Sequence, residues 1–224
     1  MRPAACSWLL TRQGRMHRYI AAFPSEAFYY GRLEVATEAQ TEPSPQPRVR
    51  FIDVRPDDDD SIPRSASPKV NLAEADAIAR LVAECAEQHP GLSVGIIVPY
   101  RHQIAAVRRA IDERAASMLP ATADSPLAPS SSPTSSILID TVERFQGSQR
   151  DVIIYGFTVQ QAAQLDFLTA QTFTDEAGRP IDRKLNVSLT RARRYLFLVG
   201  NAALLRQVPL FARLIDATAP SVDR

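Results

Sequence analysis

The sequence predicts a three-layer α/β/α sandwich built on a mainly parallel sheet, and two observations carry that reading. Short, wholly apolar runs such as Ser93–Val98 (SVGIIV) and Tyr195–Val199 (YLFLV) alternate with amphipathic helical stretches. Continuous apolar runs of this length suit parallel strands covered on both faces, and their alternation with helices implies βαβ units with right-handed crossovers. The length of 224 residues, with 45% hydrophobic and 23% charged side chains, suits a single domain spanning 1–224.

Each element has its own justification. Val49–Val54 (VRFIDV) reads as a strand. Residues 71–89 place Leu72, Ala75, Ile78, Ala79, Val82, Cys85 and Ala86 at helical spacing. Asn71 suits the N-cap, with Glu74 three residues on as the partner expected in a capping box. Pro99 closes the strand at Ser93–Val98. A second amphipathic helix follows over 102–118, with Ile104, Val107, Ile111 and Ala115 on one face. Ile137–Ile139 and Asp151–Phe157 read as strands, Leu185–Arg194 as a helix, and Tyr195–Val199 as the last strand. A closing helical region begins at Asn201 and restarts near Pro209. Three segments interrupt this pattern: 37–47, 57–68 with its acidic run Asp57–Asp60, and the Ser/Pro-rich 120–136. Their composition predicts mobile, solvated loops.

Composition excludes several classes. The formal net charge is +1, so any surface for a polyanion must be local. Cys6 and Cys85 form no CxxC, and His17, His89 and His102 have no ligand spacing, so neither a disulfide framework nor a metal site is expected. No run is long enough to span a membrane, and the arginine-flanked N-terminus makes a poor signal peptide. The expected location is the cytoplasm.

In parallel sheets, chemistry collects at the carboxyl ends of strands. That rule directs attention to Pro99-Tyr100-Arg101, to Asp140–Gly147 and to the polar segment before Tyr195. The phosphate-cradling sequence G-x-x-x-x-G-K-[ST] is absent: the eight glycines are scattered and no Gly-Lys pair occurs. No apolar strand ends in the paired Asp-Glu that could hold magnesium. Between Arg183 and Arg194 stand five basic residues (Arg183, Lys184, Arg191, Arg193, Arg194) and no acidic one. Guanidinium forks match phosphate oxygens, although a solvated basic helix has the same composition. Arg15, in the polar stretch 11–18, admits both readings too.

Four stretches together resemble superfamily 1B helicases, the group typified by the nonsense-mediated-decay RNA helicase and the replication helicase–nuclease. Residues 10–17 (LTRQGRMH), with Phe23-Pro24-Ser25, Phe28-Tyr29 and Gly31-Arg32-Leu33, are similar to the family's QYRMH, FPS and FY segment. VGIIVPYRHQ (94–103), IDTVERFQGSQRDVII (139–154) and RKLNVSLTRARRYLFLVGN (183–201) resemble its later motifs, in the family's order. The resemblance implies a C-terminal, second RecA-like domain. ATP and Mg2+ would be held mainly by an N-terminal RecA-like motor domain, which this chain lacks. By position, Arg15 and Arg191 match the arginines that reach the terminal phosphate. Gln13, Gln146, Gly147 and Arg193 fall in the nucleotide-side motifs. Tyr100, Arg101, Gln103 and Thr141 fall where the family grips the backbone of single-stranded DNA or RNA. Two departures stand out: Gly14 replaces a larger residue, and Ser148-Gln149-Arg150 lacks the acidic residue that often follows the FQG triplet. The isolated chain is expected to be inactive toward ATP. The competing reading is a non-hydrolysing module that binds a single strand or a protein.

Overall fold

The computed structural model describes residues 11–37, 40–43, 46–55, 67–118 and 137–218. Five strands form one sheet: β3 (Val49–Asp53), β4 (Val94–Ile97), β5 (Leu138–Asp140), β6 (Arg150–Gly156) and β9 (Ala192–Gly200). Their order across the sheet is β3-β9-β6-β4-β5, and every pairing is parallel. Two minor sheets complete the set. β1 (Arg12–Gln13) pairs with β2 (Glu34–Val35), and β7 (Thr172–Thr174) forms an antiparallel hairpin with β8 (Pro180–Asp182).

Strand side chains alternate between faces, which divides the core into two layers. Ile96, Val98, Val152, Ile154, Phe197 and Val199 pack under α2 (Leu72–Gln88) and α3 (Arg101–Met118). Ile97, Ile153, Tyr155, Leu196 and Leu198 meet α1 (Arg18–Phe28), α5 (Arg183–Leu189) and α7 (Pro209–Thr218) on the opposite face. The short helices α4 (Leu165–Thr169) and α6 (Ala202–Leu205) close the second layer. This is the three-layer α/β arrangement that the alternating pattern predicts, and it fits the RecA-like fold that the family resemblance implies. Among the described residues no helix is long and apolar enough to cross a membrane.

Three local expectations change. The helix read over 185–194 stops at Leu189, and β9 begins at Ala192. The Thr190 hydroxyl closes the helix on the Asn186 carbonyl, and Ala192 is already paired with Arg150 of β6. Sheet pairing thus overrides the helical pattern. Asn71 caps α2, its Oδ1 accepting from the Glu74 amide at 3.0 Å, yet Glu74 does not complete a capping box. Its carboxylate accepts instead from the Thr158 amide and hydroxyl, and the Asn71 amide donates to Gln103 Oε1 at 2.8 Å. Gln103 fills the reciprocal half of the box from another helix. Finally, the described part of 37–47 is not wholly solvated: Gln40 is buried and the Glu42 carbonyl lies 2.9 Å from His17 Nε2. Residues 57–66 and 120–136 lie outside the described residues.

Candidate functional site

The predicted arginines meet. Gln13 folds its amide back on its own turn, Oε1 accepting from the Arg15 and Met16 amides at 2.9 and 2.7 Å while Nε2 donates to the Met16 carbonyl. The side chain of Gln13 is therefore committed to shaping the turn that presents Arg15. Arg15 Nε donates to Gln149 Oε1 at 2.9 Å and Nη1 to the Thr190 carbonyl at 3.0 Å. Arg191 donates from Nε to the Val187 carbonyl at 3.0 Å and from Nη1 toward the Ser148 carbonyl at 3.5 Å. All four acceptors are neutral, and among the described residues neither guanidinium has a carboxylate partner. Burial of Arg191 and then the like charge of Arg15 both push the Arg191 pKa below its ordinary value. Two cations held side by side without a counter-charge make a local well for an anion.

This pair sits at the amino end of the sheet, where the Arg150 amide donates to the Arg191 carbonyl at 3.1 Å. The carboxyl-end rule therefore misplaces the segment before Tyr195. Arg193 is exposed on β9, and its carbonyl accepts from the His17 amide at 2.9 Å. Burial opposes ionisation of neighbouring Asp151, but hydrogen bonds from Ser93, followed by the charges of Arg193 and Arg194, hold its pKa below the ordinary value. Arg193 thus has an acidic neighbour that the other two arginines lack. Gln146 and Gly147 are exposed, Gly147 with a left-handed φ of 86° that favours glycine. The arginines contact the next two residues, Ser148 and Gln149, which the sequence marked only as a departure from the family pattern. A Cβ at Gly14 would meet nothing within 4 Å, so the fold itself does not require glycine there.

The second group lies at the carboxyl end. Where β4 and β5 stop, Tyr100, Arg101 and Thr141 line an open groove of about 740 Å³, together with Lys69, Arg144 and Phe167. Arg144 is paired with Asp140 at 3.1 Å, and Lys184 with Glu143 at 2.8 Å. Lys69 and Arg101 have no carboxylate partner among the described residues. Thr141 is largely buried, its amide donating to Asp140 Oδ1. Gln103 does not join the groove. It is fully buried, and its amide is spent on Asn71, accepting from N at 2.8 Å and donating to O at 2.9 Å. The family resemblance placed it with Tyr100 and Arg101; in this fold helix periodicity turns it inward.

The nine residues 141–149 connect the groove to the arginines. They run from the carboxyl end of β5 to the amino end of β6, with Phe145 fully buried midway. Gly95 makes room for that ring, since a Cβ there would stand 2.5 Å from Phe145 Cζ. Among the described residues no group of three or more His, Cys, Asp or Glu side chains could hold a metal ion.

Comparison with known proteins gives the family. The family described as AAA domain matches residues 2–203. Helicase sen1 of Schizosaccharomyces pombe is 31% identical over 220 residues, covering 93% of this chain and 11% of that protein. Regulator of nonsense transcripts 1 of Dictyostelium discoideum is 29% identical over 215 residues, covering 92% of this chain and 14% of that protein. The chain thus spans a small part of the length of either relative. Among solved structures, the C-terminal domain of a possible DNA helicase from Lactobacillus plantarum aligns over 90% of this chain and 93% of that one, at 17% identity and a TM-score of 0.47. The chain belongs to the AAA domain family and is a superfamily 1 helicase domain.

Proposed function

We propose that this chain is the second motor domain of an ATP-dependent DNA or RNA helicase. It supplies Arg15 and Arg191 to the terminal phosphate of an ATP–Mg2+ complex held by an N-terminal RecA-like domain, and it grips a single strand in the groove at the opposite end of the sheet. The observation that carries this reading is the juxtaposition of Arg15 and Arg191. They are 176 positions apart in sequence, yet each reaches one acceptor in Ser148–Gln149 and one in Val187–Thr190, and among the described residues neither has a carboxylate partner. Desolvation and mutual repulsion are costs that an arriving polyphosphate would offset. A planar fork of donors suits the charge that builds on a transferring phosphoryl group.

Among the described residues no group of three or more His, Cys, Asp or Glu side chains gathers, and Mg2+ is assigned to the first domain. Residues 141–149 join the two ends. The arginines hold the Ser148 carbonyl and the Gln149 side chain, while Thr141 and Arg144 line the groove. In this reading Gln146 and Gly147 sit on the link that relays nucleotide state to the strand. The backbone contacts expected of Tyr100, Arg101 and Thr141 are indifferent to base sequence, as translocation requires.

The test uses a protein in which this domain is joined to a RecA-like domain bearing the phosphate loop. Arg191→Ala should lower ATP turnover by about 10³-fold, the low end for an arginine finger, with ATP affinity changing much less. Arg191→Lys should rescue poorly, because a point charge cannot reproduce the fork. Turnover at the wild-type rate in Arg191→Ala would refute the assignment.

A further inference from the structure

Phe167 belongs to none of the helicase-like stretches, yet it stands on the rim of the carboxyl-end groove with 44% of its surface exposed. An exposed phenylalanine loses the transfer free energy that normally draws its ring into the core. This ring is also held in place. It stacks on Tyr100 with centroids 4.8 Å apart and planes inclined by 26°, and Lys184 Nζ lies 5.2 Å from its centroid. α4, which carries it, is anchored beneath by buried Leu165 and Leu168. Two stacked aromatic rings therefore border a groove in which Lys69 and Arg101 lack carboxylate partners among the described residues.

Cations suited to phosphates beside a partly exposed aromatic side chain suited to bases are the two requirements of a single-strand site. We propose that Phe167, supported by Tyr100, is a base-stacking platform, so that the groove takes an unpaired strand through a base as well as through its backbone. The inference rests on the strand-binding reading above and adds to it the chemical class of contact: the face of a nucleobase. Stacking uses the π-face that every base possesses, so the platform selects unpaired over paired bases without selecting sequence. A duplex, whose bases are already stacked on one another, has no free face to offer.

The experiment measures binding of the full chain to two short probes of equal length: a thymidine or uridine tract, whichever wild type binds more tightly, and the matching abasic sugar–phosphate. Wild type should bind the base-bearing probe roughly ten-fold more tightly than the abasic one, the scale of one stacked base. Phe167→Ala should lose that advantage by weakening only toward the base-bearing probe. The dependence of affinity on salt should stay the same, because no phosphate contact is removed. Phe167→Trp should restore the preference and Phe167→Leu should not, since leucine keeps the apolar volume without the ring. This second pair carries the test if the alanine variant folds poorly. Equal binding of both probes by wild type, or an equal loss on both probes in Phe167→Ala, would overturn the platform and leave the strand-binding reading standing. If wild type binds neither probe, both readings fail together.

Discussion

Glu74 gives the fold an unusual dependence on pH. It lies in the first turn of α2, wholly buried, and accepts from the Thr158 amide at 2.7 Å and the Thr158 hydroxyl at 2.8 Å. Thr158 has a left-handed φ of 55°, a conformation that costs energy in a β-branched residue. Gly156 clears the space, because a Cβ there would come within 2.6 Å of Glu74 Oε1. Burial pushes the Glu74 pKa from 4.5 up to about 8, and the Thr158 hydrogen bonds only partly oppose it. The folded state therefore binds this proton more tightly than the unfolded state. Between the two values the folded protein carries more protons, so stability falls as pH rises, fully present below 4.5 and lost by about 8.

At about 1.4 kcal/mol per unit, that interval amounts to several kcal/mol, a large share of the 5–15 kcal/mol of an ordinary domain, to take a rough range. Glu74→Gln removes the titration and keeps the shape. Urea unfolding followed by circular dichroism, run across the interval, should show the variant gaining steadily on wild type as pH rises, and exceeding it at the alkaline end. Because every other group titrates alike in both proteins, the difference between them isolates Glu74. A difference that does not change with pH would refute the reasoning.

Two further substitutions test the packing that supports the sites. Gly95→Ala drives a methyl group into the buried Phe145 ring. It should cost about 1–3 kcal/mol, the usual scale of overpacking, read as a lower melting temperature, and Phe145→Leu added to it should recover part of the loss. Gln103→Ala removes both hydrogen bonds to the Asn71 backbone. It should destabilise by about 1–3 kcal/mol through the unmet buried groups, and the affinity of the folded protein for a strand should be unchanged; weaker strand binding by the folded variant would return Gln103 to the strand surface.

The parts of the fold that were legible are those whose burial is two-sided. β4, β6 and β9 occupy the middle of the sheet with helices on both faces, so each appears as an unbroken apolar run. The hairpin β7–β8 had no such signature. It is held by side chains distant in sequence: Tyr30 Oη donates to Asp175 Oδ2 at 2.9 Å, and the Arg179 guanidinium lies 3.5 Å from the Tyr30 ring centroid. The Asn71-Glu74 spacing was read as a capping box because spacing reports only local options. Glu74 is claimed by Thr158, 84 positions away, and Gln103 by Asn71, 32 away. The arginines became legible only through family resemblance, since nothing local relates residue 15 to residue 191. Phe167, a lone aromatic on a short helix, carried no pattern at all.

For the motor role proposed above, the arrangement of the two ends bears on how force is transmitted. A ligand at the arginines and a strand in the groove are separated by the length of the sheet, and the core between them is close-packed and stiff. Residues 141–149 run along the edge of that core, touching the arginines at Ser148 and Gln149 and the groove at Thr141 and Arg144. Val142 and Phe145 tie the segment to the interior, Phe145 against the face that Gly95 leaves bare. A segment held at both ends and pinned between them by buried side chains would pass on a displacement that a free loop would absorb. The absence of a side chain at residue 95 serves that pinning: the ring that anchors the segment needs the space, and the neighbouring strand supplies it.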